Sequence, residues 1–201
     1  MQRHPFARRA AVFLFAAFAG ASMAVPAQSV ADWGIDPDVL ADSGSDLLRR
    51  APDDAIDGLF QAVRAASRNE DEAQALCGLF EPDADRSLAG LNAVAVRLGP
   101  ASRERFATAV ADALVGATQS PPQPYDAAAA LQSLKAAGAT AAILHDGFVR
   151  GLNASGPEAD SRDARCQSLR WLLDAMQARP QRERAAMTRW LLDQGVARLA
   201  P

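Results

Sequence analysis

The chain reads as an all-α protein: a single-domain bundle of about seven to nine helices, built from antiparallel hairpins and held by one disulfide. Three observations predict this. Alanine, leucine and arginine are abundant while aromatic residues make up only 6% of the 201 residues, a balance that favours helix over strand. No stretch alternates apolar and polar residues between hairpin turns, as half-buried strands do. Apolar residues recur instead at i, i+3, i+4 and i+7, in segments closed by glycine or proline.

Residues 1–27 carry an address. Arg3, Arg8 and Arg9 precede an uncharged run from Ala10 to Val25 that contains Phe13, Leu14, Phe15 and Phe18, and Val25-Pro26-Ala27 closes it. A basic head, a short apolar body and a small-x-small exit predict a cleaved secretory signal peptide. The run is shorter than the ~20 apolar residues a membrane-crossing helix needs. Cleavage is expected after Ala27, with Ala24 as the alternative, and neither cut leaves a cysteine for lipid attachment. Arg8-Arg9 invites a twin-arginine reading, but Ala10-Ala11-Val12 lack the Phe-Leu pair of that signal. Export of an unfolded chain follows, which argues against a cofactor loaded before export. The expected product is a soluble protein of the bacterial periplasm or exterior, without a stable membrane anchor.

The element order follows from punctuation. Gly34, Pro37 and Gly44 make residues 28–50 a turn-rich, loosely ordered lead-in. Asp53-Asp54 is then expected to cap a helix with the stripe Ile56, Leu59, Phe60 and Val63. A short helix from Glu70 places Ala73, Leu76, Cys77 and Phe80 on one face, with Glu70, Asp71 and Glu72 as a solvated first turn. Leu88, Leu91, Val94, Ala95 and Leu98 mark the next helix, stopped by Gly99-Pro100. Ser102 is expected to cap a helix through Phe106, Val110, Ala113 and Leu114 that ends at Gly116. Residues 118–125 hold three prolines within four positions and cannot continue a helix. Asp126 caps a helix through Leu131 and Leu134, closed by Gly138, and Thr140 opens another with Ile143, Leu144, Phe148 and Leu152. Two final helices, 162–177 and 180–199, share so short a joint at Ala178-Arg179-Pro180 that an antiparallel hairpin is expected.

Cys77 and Cys166 stand on opposite sides of the proline-rich loop. An even pair in an exported chain predicts a disulfide. Two separate units of under about ninety residues would each have a thin core, so residues 51–201 are read as one domain with a bridge clamping its halves.

Charge and motif content narrow the function. The first 27 residues hold three arginines and no acid, so the remainder keeps 18 basic and 24 acidic residues, a net charge of −6. That balance disfavours nucleic acid and anionic lipid as partners. Twenty of the 21 basic residues are arginine, with Lys135 the exception, which points to a GC-rich genome more than to any chemistry.

No catalytic residue, metal site or cofactor is expected. His145 is the one histidine after residue 27, so imidazole ligands for zinc are lacking, and no nucleophile elbow accompanies His145-Asp146. Asp83, Asp85 and Ser87 imitate the start of a calcium loop. Leu88 and Val94 stand where its glycine and its bidentate glutamate belong, so an acidic helix-capping loop is the better reading.

The segment Arg170-Trp171-Leu172-Leu173-Asp174 repeats unchanged as Arg189-Trp190-Leu191-Leu192-Asp193. Each tryptophan lies about 100° from the first leucine of its core pair and so flanks the apolar stripe. Trp171 and Trp190 are therefore the candidate contact residues, with Trp190, nearer the chain end, expected to be the more exposed. The leading expectation is a protein-binding module, in the manner of periplasmic inhibitors and immunity proteins. The alternative is a cell-wall-acting hydrolase using two carboxylates. A cleft with facing acids would favour the enzyme, and an exposed apolar patch the binder.

Overall fold

The structure, a computed structural model, describes residues 37–81, 84–85 and 87–196. The expected signal peptide, the first part of the lead-in and the final turn at Leu199 lie outside the described residues. Among the described residues the fold is all-α: nine helices, one 3₁₀ turn at Gly78–Phe80 and no strand. The helices are α1 (Pro37–Arg50), α2 (Asp53–Ser67), α3 (Glu70–Cys77), α4 (Leu88–Ala95), α5 (Pro100–Gln119), α6 (Ala127–Leu144), α7 (Phe148–Leu152), α8 (Ala159–Gln177) and α9 (Gln181–Val196).

The core gathers around α2, α6, α8 and α9. Phe60 of α2, Ala137 and Ala141 of α6, Phe148 of α7, Leu173 and Met176 of α8 and Met187 of α9 are buried together. A second cluster joins Ala51, Ile56, Ala117 and Ala185, where α1 and α5 close over α2 and α9. A third, Ala66, Leu76 and Leu98, fastens α3 and the turn after α4 to α2. The disulfide forms as the sequence predicts: Cys77 and Cys166 are bonded, with Cα atoms 5.2 Å apart, tying α3 to α8.

Four expectations change. The lead-in is helical from Pro37 to Arg50. Its Ser43-Gly44-Ser45 run hides an apolar spacing that ends in Leu47 and Leu48, and both pack on the second cluster. Tertiary packing overrides the local turn signal there. Ser102 does not cap α5, which begins at Pro100; its buried hydroxyl donates to Glu72 at 2.6 Å. Gly116 does not end α5 either, which runs on to Gln119; a Cβ at Gly116 would come within 2.6 Å of Pro52 Cδ, so the glycine lets Pro52 approach the helix. Finally, α6 runs unbroken through Gly138 and Thr140. The threonine hydroxyl bonds back to the Ala136 carbonyl at 2.9 Å and caps nothing.

The C-terminal hairpin also differs. α8 and α9 follow one another closely in the chain but do not lie side by side; each packs on α6 and on α2. The first turns of α9 are drawn to α2 by Arg184, whose guanidinium makes two 2.8 Å hydrogen bonds to the Asp57 carboxylate. A bidentate pair this enclosed fixes the angle at which α9 leaves the joint.

Candidate functional site

Three places combine unusual chemistry with access to solvent. The first is the corner where α6 gives way to α7. His145 ends α6 and stacks on Trp171 of α8, with ring centroids 4.5 Å apart and planes 5° from parallel. Phe148 and Gly151 of α7 turn inward against α8. Ser168 donates to the Phe148 carbonyl at 2.9 Å, and a Cβ at Gly151 would fall 2.1 Å from the Ser168 Oγ. Only glycine allows so close an approach. Seating that face leaves the opposite one in water: Val149 is 55% exposed and Leu152 51%. In the last turn of α6, Ile143 is 82% exposed and Leu144 67%. Four large aliphatic side chains thus face solvent within ten residues of chain.

The second place is the buried guanidinium of Arg189, 1% exposed. It donates to the Leu48 carbonyl at 2.7 Å, the Ala51 carbonyl at 2.6 Å and Asp53 at 3.0 Å. It also lies 5.7 Å from the centre of the Tyr125 ring. Gln123 N–H donates to the Arg49 carbonyl, so α9 and the proline-rich loop together satisfy the orphan carbonyls that end α1. Ser45 closes the neighbouring wall by donating to Asp193 at 2.8 Å. These groups border a hollow of about 290 Å³. The Tyr125 hydroxyl is buried beside it without a hydrogen-bond partner. Burial first, then the Asp193 carboxylate, push this phenol above its ordinary range, against a downward pull from Arg189.

The third is a hollow of about 450 Å³ beside the disulfide, bordered by Gln74, Glu81, Arg97, Arg162 and Asp163. Two acids, Glu81 and Asp163, border this cavity. Both Glu81 oxygens accept from Arg165, which also donates to the carbonyls of Ala154 and Gly156. Those bonds spend the carboxylate on holding the loop before α8 in place. The imitation calcium loop is likewise structural: Ser87 caps α4, and its hydroxyl and N–H hydrogen-bond Asp85, holding that carboxyl below its usual range. Asp83 lies outside the described residues. Among the described residues no group of three or more His, Cys, Asp or Glu is placed to hold a metal ion.

The repeated segment takes two different environments. In α8, Leu173 is buried and Asp174 is exposed, pairing with Arg64 at 2.8 Å and Arg68 at 3.4 Å. In α9, Arg189 is buried and Leu191, expected in the core, is 38% exposed. Trp171 and Trp190 are both half-buried. The acidic start of α3 is not wholly solvated: Glu72 is buried and accepts from Gly99 N–H at 3.0 Å as well as from Ser102. Sequence reasoning missed the aliphatic corner because Ile143, Leu144, Phe148 and Leu152 fit the stripe of one helix, whereas α6 ends at Leu144, α7 begins at Phe148, and of the four only Phe148 is buried. No protein-family model, curated protein or solved structure matches the chain.

Proposed function

We propose that the chain is an exported, soluble protein-binding module of the bacterial periplasm or exterior, and that the α6–α7 corner is its main contact surface. One observation carries this reading: Ile143, Leu144, Val149 and Leu152 are all more than half exposed on a corner whose backbone is fixed from behind. Soluble proteins rarely leave a cluster of large aliphatics in water unless something covers it. A preset surface also loses little conformational entropy when a partner settles on it. Trp190, half-buried beside the exposed Leu191, is the secondary contact candidate, and Trp171 supports the main one from beneath through His145. The inhibitor or immunity-type role belongs to the same proposal and rests on architecture alone.

A photo-reactive amino acid placed at position 143 in the exporting cell tests the surface. Irradiation should yield a protein adduct that is absent when the same probe replaces the exposed Arg103 on α5. Equal labelling from both positions would refute the assignment of the corner.

A further inference from the structure

We infer that the partner at the α6–α7 corner is a second copy of this chain, related by a two-fold axis. The inference rests on reading the corner as a contact surface and names what covers it. The corner carries both signs of charge among its aliphatics. Asp146 lies in the turn and Arg150 on α7; both are exposed, and neither is in an ion pair among the described residues. An isologous contact is self-complementary, so a residue meeting another across the axis is met by it in return. A two-fold axis that sets Asp146 of one copy against Arg150 of the other forms that ion pair twice. The same operation covers Ile143, Leu144, Val149 and Leu152 of each copy with those of the other.

A partner surface of one charge sign would leave Asp146 or Arg150 opposed by a like charge. An anionic bilayer is disfavoured on the same ground and by the net charge of −6 beyond residue 27. The contact can also extend along α6, where Ala139 and Thr140 are exposed before Ile143. Stable pairing needs about 800 Å² on each side, more than four side chains supply, so this continuation matters.

The test is sedimentation velocity on the exported, disulfide-intact protein from about 1 to 100 µM, a range that brackets micromolar association. A dimer that dissociates on dilution is the expected result. Ile143→Asp combined with Val149→Asp should give a monomer throughout that range, with an unchanged helical circular dichroism spectrum. Asp146→Arg and Arg150→Asp should each weaken association by about tenfold, and the double swap should restore it.

Restoration by the double swap is the specific signature, because a merely misfolded variant would not regain pairing. A wild-type monomer at the highest concentration overturns the inference; adducts from position 143 with some other protein would then leave the contact surface standing. A dimer indifferent to the corner variants overturns it too, and an absence of adducts removes the surface as well. Binding of a monomer to vesicles of zwitterionic or anionic lipid, lost in the Ile143→Asp, Val149→Asp variant, would assign the corner to a membrane and refute pairing.

Discussion

Arg189 and Arg170 occupy the same place in an identical five-residue segment, and their surroundings set them apart. Arg189 is enclosed, and its N–H groups are aimed at two carbonyls of the α1–α2 joint and at Asp53. Truncating it removes the donors and leaves buried acceptors unpaired, which costs far more than the net value of the bonds themselves. Arg189→Ala should therefore destabilise by about 3–5 kcal/mol and Arg170→Ala, half-buried, by under about 1 kcal/mol, both measured by urea unfolding. Tyr125 offers the reverse case, a buried hydroxyl with nothing to bond. Tyr125→Phe should be neutral or stabilising by up to about 1 kcal/mol at pH 7. Its pH dependence has a definite sign. The folded phenol holds its proton more tightly than the unfolded one, so its contribution is complete below the ordinary tyrosine value. That contribution is lost as pH rises through the folded value. Above about pH 10 the wild-type midpoint should fall more steeply than that of Tyr125→Phe; parallel profiles would show that burial does not perturb this phenol.

At the scale of the element, the two leucine pairs of the repeat separate what periodicity reveals from what it hides. Leu173→Ala opens a cavity among Phe60, Ala141 and Met176 and should cost about 2–5 kcal/mol. Leu191→Ala, at a position 38% exposed, should cost under about 1 kcal/mol. Helix-period spacing finds most of the helices because these bury an apolar stripe, as α2, α6 and α8 do. It cannot say which apolar residues at the edge of that stripe end up covered, since this depends on which neighbour arrives. Hence the places of α2 and α3 are legible, but Asp53 heads α2 without a side-chain cap bond, Phe80 falls in the turn after α3 and is 56% exposed, and neither the outward turn of Ile143 nor the inward turn of Arg189 is legible. Gly138 shows the limit of punctuation in another way. It reads as a stop, yet it sits inside α6, and a Cβ there would meet nothing within 4 Å. Its hydrogen-bonded neighbours simply carry the helix past it. Gly138→Ala should then raise stability by about 0.5–1 kcal/mol, by removing backbone freedom from the unfolded chain. A loss instead would mean that α6 bends there in solution.

For the whole molecule, the question is what holds α3 and α4 to the rest. The central bundle is continuous from α2 through α6, α8 and α9, but α3 is eight residues long and reaches it through Ala66 and Leu76 and through the bridge. The bridge closes a loop across a sequence separation of 89 that includes the proline-rich segment, so the unfolded chain loses much of its freedom when the two sulfurs are joined. On a chain-entropy account that restriction is worth about 4.5 kcal/mol, and strain or residual structure lowers the figure in practice. Breaking the bridge also releases the wall on which Arg165 holds Glu81. Native protein should show no reactive thiol without reductant. The Cys77→Ser, Cys166→Ser double variant should lose about 3–4.5 kcal/mol in urea unfolding. Because the buried contacts of α2, α6, α8 and α9 do not depend on the bridge, its helical circular dichroism should survive at zero denaturant. Amide exchange should accelerate first in α3, the helix the bridge pins, and in α4. Uniform acceleration over every helix would instead make the bridge a clamp on the whole bundle, with α3 no weaker than the rest.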